Sequence, residues 1–143
     1  MPEYPNYRVS VEIVLCHNDK ILLTKRSAQA TVVPGVWNVP AGKVKFHEIP
    51  LDAAYRELLE ETNIKVVDLK EIHVRTFKGQ TETESIFRLI YTYKAIITDD
   101  QLGDFRLNEE HTDYAWVTTS EIADSRFDSL LPEFRGILMS HTG

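Results

Sequence analysis

Between Gly42 and Ile64 the chain reads GKVKFHEIPLDAAYRELLEETNI. Four glutamates fall in this stretch, Glu48, Glu57, Glu60 and Glu61, with Arg56 beside the last three. Like charges three or four residues apart on a helix repel one another, so gathering them calls for a counter-charge. Two readings are open. The cluster is a solvated acidic face, partly neutralised by Arg56, which lies four residues before Glu60. Or it is a site for a hard cation: magnesium takes oxygen ligands, commonly a few carboxylates together with substrate phosphates and waters.

Either reading needs an element that holds the carboxylates. Pro50 suits the first turn of a helix, where its missing N–H is no loss, and PLDAAYRELLEET is rich in helix formers. Asn63 tolerates the left-handed conformation common just past a helix end, so the helix is predicted over residues 50–62. At about 100° per residue, Glu57, Glu60 and Glu61 fall within roughly a quarter of the circumference, with Ala53 on the same face. Leu51, Ala54, Tyr55 and Leu58 form the neighbouring face and can anchor it in a core.

Around this helix the pattern is mostly extended. YRVSVEIVLCH and KILLTKR read as strands joined by a tight turn at Asn18-Asp19. WNVP is a short apolar piece, and KVKF alternates as a further short strand. IKVVDLKEIHVRTF and ESIFRLIYTYKAII read as strands, the second with Phe87, Leu89, Tyr91 and Tyr93 on one face. TDDQLGDFRLNEEHT reads as an acidic loop and DYAWVT as a last strand. PEFRGILMSH reads as a closing helix, with Phe134, Ile137, Leu138 and His141 at helical spacing. Strands around one central and one terminal helix predict an α/β or α+β domain.

The 143 residues suit one domain, taken as residues 1–143. A net charge of -6 argues against a broad nucleic-acid surface, because phosphate backbones are held mostly by lysine and arginine. A small phosphate-bearing ligand held through a cation remains compatible with it. The single cysteine, Cys16, sits in an apolar run and reads as a core residue; it excludes an internal disulfide and fits a reducing, cytoplasmic compartment. No apolar run has the length of a membrane span, and MPEYPNYRVS lacks the features of a signal peptide.

The glutamates belong to a longer spacing: Gly42, five residues, Glu48, seven residues, Arg56-Glu57, Leu58, one residue, Glu60-Glu61, then Asn63 and Ile64. This resembles the signature of the Nudix hydrolases, with Asn63 at the family's last glycine. Over the six matched charged and glycine positions, a chance match in this chain is on the order of one in a hundred thousand. WNVPAGK before the box and ILLTKR before that resemble the family's lead-in, so the likeness runs from about Tyr7 to Ile122.

The resemblance implies an α/β fold, a Nudix-type α/β/α sandwich around a mixed sheet. It also implies hydrolysis of compounds in which a nucleoside diphosphate is linked to another group, with magnesium, or manganese in its place. Glu57, Glu60, Glu61 and a backbone carbonyl at Gly42 would hold the metal, with Ala41 as a second carbonyl candidate. Arg56 would orient the glutamates, and Glu48 would brace the loop before the helix. For the general base the resemblance offers a box glutamate or a later acidic residue, here Glu109, Glu110 or His111, with Glu110 taken into the catalytic set.

Lys43 and Lys45 are candidates for phosphate contact, or else exposed lysines of an edge strand. Arg26, closing ILLTKR, joins them as a substrate-binding candidate. Trp37 and Trp116 read as packing residues, and Phe46, Phe77 and Phe87 as candidates for a nucleobase wall. His17, His47, His73 and His141 show no metal-ligand spacing. For substrate, EEHTDYAWV resembles the branch acting on nucleoside triphosphates. ADP-ribose or a nucleotide sugar is the alternative within the enzymes, and a non-catalytic nucleotide-binding module the alternative outside them. Relatives implied by the resemblance are often homodimers.

Overall fold

The structure, a computed structural model, describes residues 6–27, 35–80, 83–130 and 135–138. Its frame is a seven-stranded sheet. Strands β1 (Tyr7–His17) and β2 (Lys20–Arg26) form the expected hairpin, turning at Asn18, whose φ of 55° is one that asparagine accepts. They stay paired only at the turn end, Cys16 with Ile21 and His17 with Lys20. Beyond that the two strands part.

The segment after Val36 fills the fork. Its first piece, β3 (Trp37–Asn38), pairs with β2, and its second, β4 (Ala41–Lys43), pairs with β1. Pro40 sits at the crossing, where it has no N–H to satisfy and where its carbonyl accepts from the Ile13 N–H at 2.8 Å. The strand expected over KVKF is thus displaced: it ends at Lys43. At Lys45 the chain is already turning, and its N–H donates to the Glu48 carboxylate at 3.0 Å.

On its other edge β1 runs parallel to β6 (Ser85–Ile96), from Tyr7 beside Phe87 to Cys16 beside Ile96. Strand β5 (Lys70–Gln80) pairs antiparallel with β6, and β7 (His111–Val117) pairs antiparallel with β2. One parallel pair among antiparallel ones makes the sheet mixed. The strand expected from Ile64 begins only at Lys70; the residues before it form an extended connection whose Ile64, Val66 and Leu69 are buried. The acidic loop holds a short helix, α2 (Asp99–Gly103). A capping box starts it, with the Thr98 hydroxyl taking the Gln101 N–H and the Gln101 side chain taking the Thr98 N–H.

Helix α1 (Pro50–Thr62) has the predicted bounds, with Pro50 at its start and Asn63 left-handed at its end (φ 61°). It covers one face of the sheet. Ala53, Ala54 and Leu58 are fully buried there against Val11, Ile13, Leu15 and Tyr93, and Leu51 and Tyr55 pack alongside. The opposite face is covered by α3 (Thr119–Ile122), a 3-10 turn at Ser125–Phe127 and a helical turn at residues 135–138. Ile122, Phe127 and Leu138 are buried there with Val14, Cys16 and Trp37. Of the closing helix expected over 132–141, Phe134 and His141 lie outside the described residues.

The alternation of β1 explains where the ligand space must be. Val11, Ile13 and Leu15 face α1, while Val14 and Cys16 face the second core. Ser10 and Glu12 also point to that second side, but they line an open cavity instead of joining the core. Among the described residues no helix is long and apolar enough to cross a membrane.

Candidate active site

Three elements meet at one end of the cavity: the edge of β4, the carboxylate face of α1, and the chain between α2 and β7. Among the described residues strand β4 has no partner strand on its outer edge, and the box side chains satisfy it. The Ala41 N–H donates to the Glu61 carboxylate at 2.9 Å, and the Lys43 carbonyl accepts from Arg56 Nη2 at 3.0 Å. Carboxylate and guanidinium thus do for this strand what another strand would do.

Arg56 is the hub. Its Nε and Nη2 each donate to one oxygen of Glu48 at 2.8 Å, a bidentate pair. Its Nη1 donates to Glu57 at 2.8 Å and, more loosely, to Glu60 at 3.3 Å. Glu48, fed by both Arg56 and the Lys45 N–H, has its carboxyl pulled down to about 2. Arg56 is correspondingly held even more firmly protonated.

The glutamates of α1 are not equivalent. Glu61 is buried, and burial together with the nearby charge of Glu57 pushes its carboxyl up to about 9. Burial raises Glu57 as well, against the pull of Arg56. Glu57 lies over Gly42 so closely that a Cβ there would stand 2.0 Å from its carboxyl carbon, so only glycine permits this approach. Glu60 is turned out, its side chain 51% exposed on Arg56. As the side chains stand, no three histidine, cysteine, aspartate or glutamate groups among the described residues close into a cation cage.

Glu110 reaches this end from the third element, close enough to raise both Glu57 and Glu61 electrostatically. Its position is set by the end of α1. The last carbonyls of that helix lack partners within it; Leu59 accepts from the Asn63 N–H, Glu61 from the Asn108 N–H and Thr62 from the Arg106 N–H. The Asn63 side chain adds a bond to the Asp104 carbonyl at 3.0 Å, which glycine could not make. Glu109 is exposed and does not line the cavity, and the buried His111 is hydrogen-bonded to Asn108.

The cavity has a volume of about 540 Å³, within the range of small-molecule sites. Arg26, Gly42, Lys43, Glu57 and Glu110 line it, so the structure brings these five sequence candidates together. Lys45, Arg56, Glu60 and Glu61 are not among its walls: Arg56 and Glu61 act from behind Glu57 and Ala41, and Lys45 is exposed on the turn. Of the aromatic candidates Phe77 is a wall residue; Phe46 is 92% exposed and away from it, and Phe87 does not line it. Trp37 is buried against Phe127 and also lines the cavity, and Trp116 packs on Phe105.

The sequence reading missed Glu12, Arg75 and Arg88, which also line the cavity. Glu12 is 2% exposed, holding Arg75 through both oxygens at 3.1 and 3.3 Å and accepting from the Thr92 hydroxyl at 2.7 Å. A glutamate alternating with valine and isoleucine in mid-strand was the visible signal.

The chain is similar to known proteins. Over 49 residues, 34% of this chain, there is 47% identity to m7GpppN-mRNA hydrolase NUDT17 of Danio rerio, but the match spans only 16% of that longer protein. Nucleoside triphosphatase NudI of Enterobacter sp. is 27% identical over 117 residues, 76% of this chain and 80% of its own. The crystal structure of a MutT protein from Methanosarcina mazei Go1 superposes with a TM-score of 0.75 at 25% identity, covering 98% of this chain and 95% of the other. The NUDIX domain model itself matches residues 6–135, nearly the whole described chain and every element of the site, and the protein is a member of that family.

Proposed function

We propose that the chain is a magnesium-dependent hydrolase of nucleoside triphosphates, releasing pyrophosphate, with manganese able to replace magnesium. One observation carries the reading: Glu57, held by Arg56 in the wall of a cavity of nucleotide size, with the buried Glu61 behind it taking the Ala41 N–H. The name of the similar NudI protein supports the triphosphate as substrate. The donor set is all oxygen, and the environment that raises Glu61 is one in which a positive charge is favoured. Glu57, Glu61 and the backbone at Gly42 would hold the ion, with Glu60 joining by leaving Arg56.

A divalent cation supplies neutralising charge for the diphosphate and acidity for the attacking water. The chain's own groups do the rest, and positioning is most of what phosphoryl transfer requires. Lys43 and Arg26 meet phosphate oxygens, Glu110 accepts the proton of the attacking water at a carboxylate oxygen, and Arg56 fixes the direction of Glu57.

The test is product release over nucleoside triphosphates, ADP-ribose and nucleotide sugars, with magnesium or with a chelator, for the wild type and Glu61→Gln. Turnover of triphosphates that falls at least 100-fold in both the chelated sample and the variant is the expected result. Turnover confined to ADP-ribose or sugars would replace the substrate. Nucleotide binding with no turnover at all would make the protein a binding module.

A further inference from the structure

Strands β4, β1, β6 and β5 lie side by side across the cavity floor. At about 4.8 Å per strand, β6 and β5 lie roughly 10 and 14 Å from Gly42. That is room for the sugar and base of a nucleotide whose phosphates sit at the glutamates. Phe77 on β5 is directly opposite Arg88 on β6, so their side chains share a face, and both line the cavity with Ser10 and Ile90.

The two arginines of this floor differ. Arg75 is matched by Glu12 in a buried ion pair. Arg88 is half-buried, its Nη1 donates to the Ser10 hydroxyl at 3.1 Å, and among the described residues no carboxylate lies within ion-pair distance of it. Desolvation and the neighbouring charge of Arg8 both act against its protonated form. A guanidinium has five N–H donors in a planar fork and cannot shed its charge to escape. Such a group is stabilised when a ligand brings acceptors to it.

Resting on the nucleotide reading above, we propose that Arg88 and Phe77 form a base-recognition subsite selective for 6-oxopurines. The fork fits two adjacent acceptors, and O6 and N7 of guanine or hypoxanthine provide them; adenine sets its N6 amine, a donor, against the same N–H groups. Phe77, 37% exposed, gives the ring face on which the base stacks. A phosphate would also satisfy the fork, but Lys43 and Arg26 occupy the end where the carboxylates and the cation would hold phosphate.

The experiment is equilibrium binding of GTP, ITP, ATP and tripolyphosphate with magnesium, for the wild type, Arg88→Gln, Arg88→Lys and Phe77→Leu, alongside turnover of the same compounds. The wild type is expected to bind GTP and ITP at least tenfold more tightly than ATP. Arg88→Gln should erase that margin while leaving tripolyphosphate unchanged. Arg88→Lys, which keeps the charge and loses the fork, should lose most of the margin too, and Phe77→Leu should weaken all three nucleotides alike.

Equal wild-type affinity for GTP and ATP overturns the proposal, as does an equal loss of tripolyphosphate binding in Arg88→Gln. The two readings fail separately. Base preference without turnover would remove the hydrolase and keep the subsite, whereas turnover without base preference would do the reverse.

Discussion

A glycine is usually explained by its backbone, but Gly42 is explained by a side chain. Glu57 occupies the volume a Cβ would need, so Gly42→Ala must push that carboxylate aside while leaving the strand able to form. Displacements of about 1 Å near reacting groups cost on the order of 100-fold in rate, and a kcat drop of that size with an unchanged melting temperature is expected. Glu48 acts on stability instead. Its folded carboxyl lies near 2 against an ordinary 4.5, so its contribution is complete above 4.5 and is lost as pH falls through about 2. Melting curves across that window should show Glu48→Gln less stable than the wild type at neutral pH, with the difference closing as the pH falls.

At the scale of elements, α1 does two jobs, one with its middle and one with its C-terminus. Its middle is a core element: Leu58→Ala would open a cavity among fully buried neighbours, at a cost of about 2–5 kcal/mol in denaturant unfolding. Its C-terminus is a dock for the chain that carries Glu110. Asn63→Val places a β-branched residue at a φ of 61° and removes the bond to Asp104, so a loss of about 2 kcal/mol is expected, together with reduced activity from a loosened Glu110. The bounds of α1, β1 and β2 were legible because apolar spacing, Pro50 and Asn63 all agreed. The fork between β1 and β2 was not, because a strap that switches partners at Pro40 leaves no periodicity to read. Helix α2 was masked by its acidity, although its Thr98 and Gln101 pairing was there to be seen. Arg75 and Arg88 were hidden for another reason: an arginine in a strand reads as surface until the opposite face is known to be a cavity.

For the whole molecule, the site is tied to stability through the crowding of Glu57 and Glu61, which a bound cation would relieve. A cation that binds only the folded state at about 100 times its dissociation constant adds about 2.7 kcal/mol. Thermal unfolding should therefore shift upward with magnesium and return with chelator, and Glu61→Gln should blunt the shift. The sheet has a consequence of a different kind. Its parallel ladder joins residues 7–16 to residues 87–96, so the first strand waits for two-thirds of the 143 residues before its outer edge is covered. During synthesis on the ribosome that edge is an open template for other chains. The hairpin and α1 can assemble early, but the step that closes the domain waits for the second half of the chain, and a protein stalled short of Phe87 would leave the exit tunnel prone to aggregate.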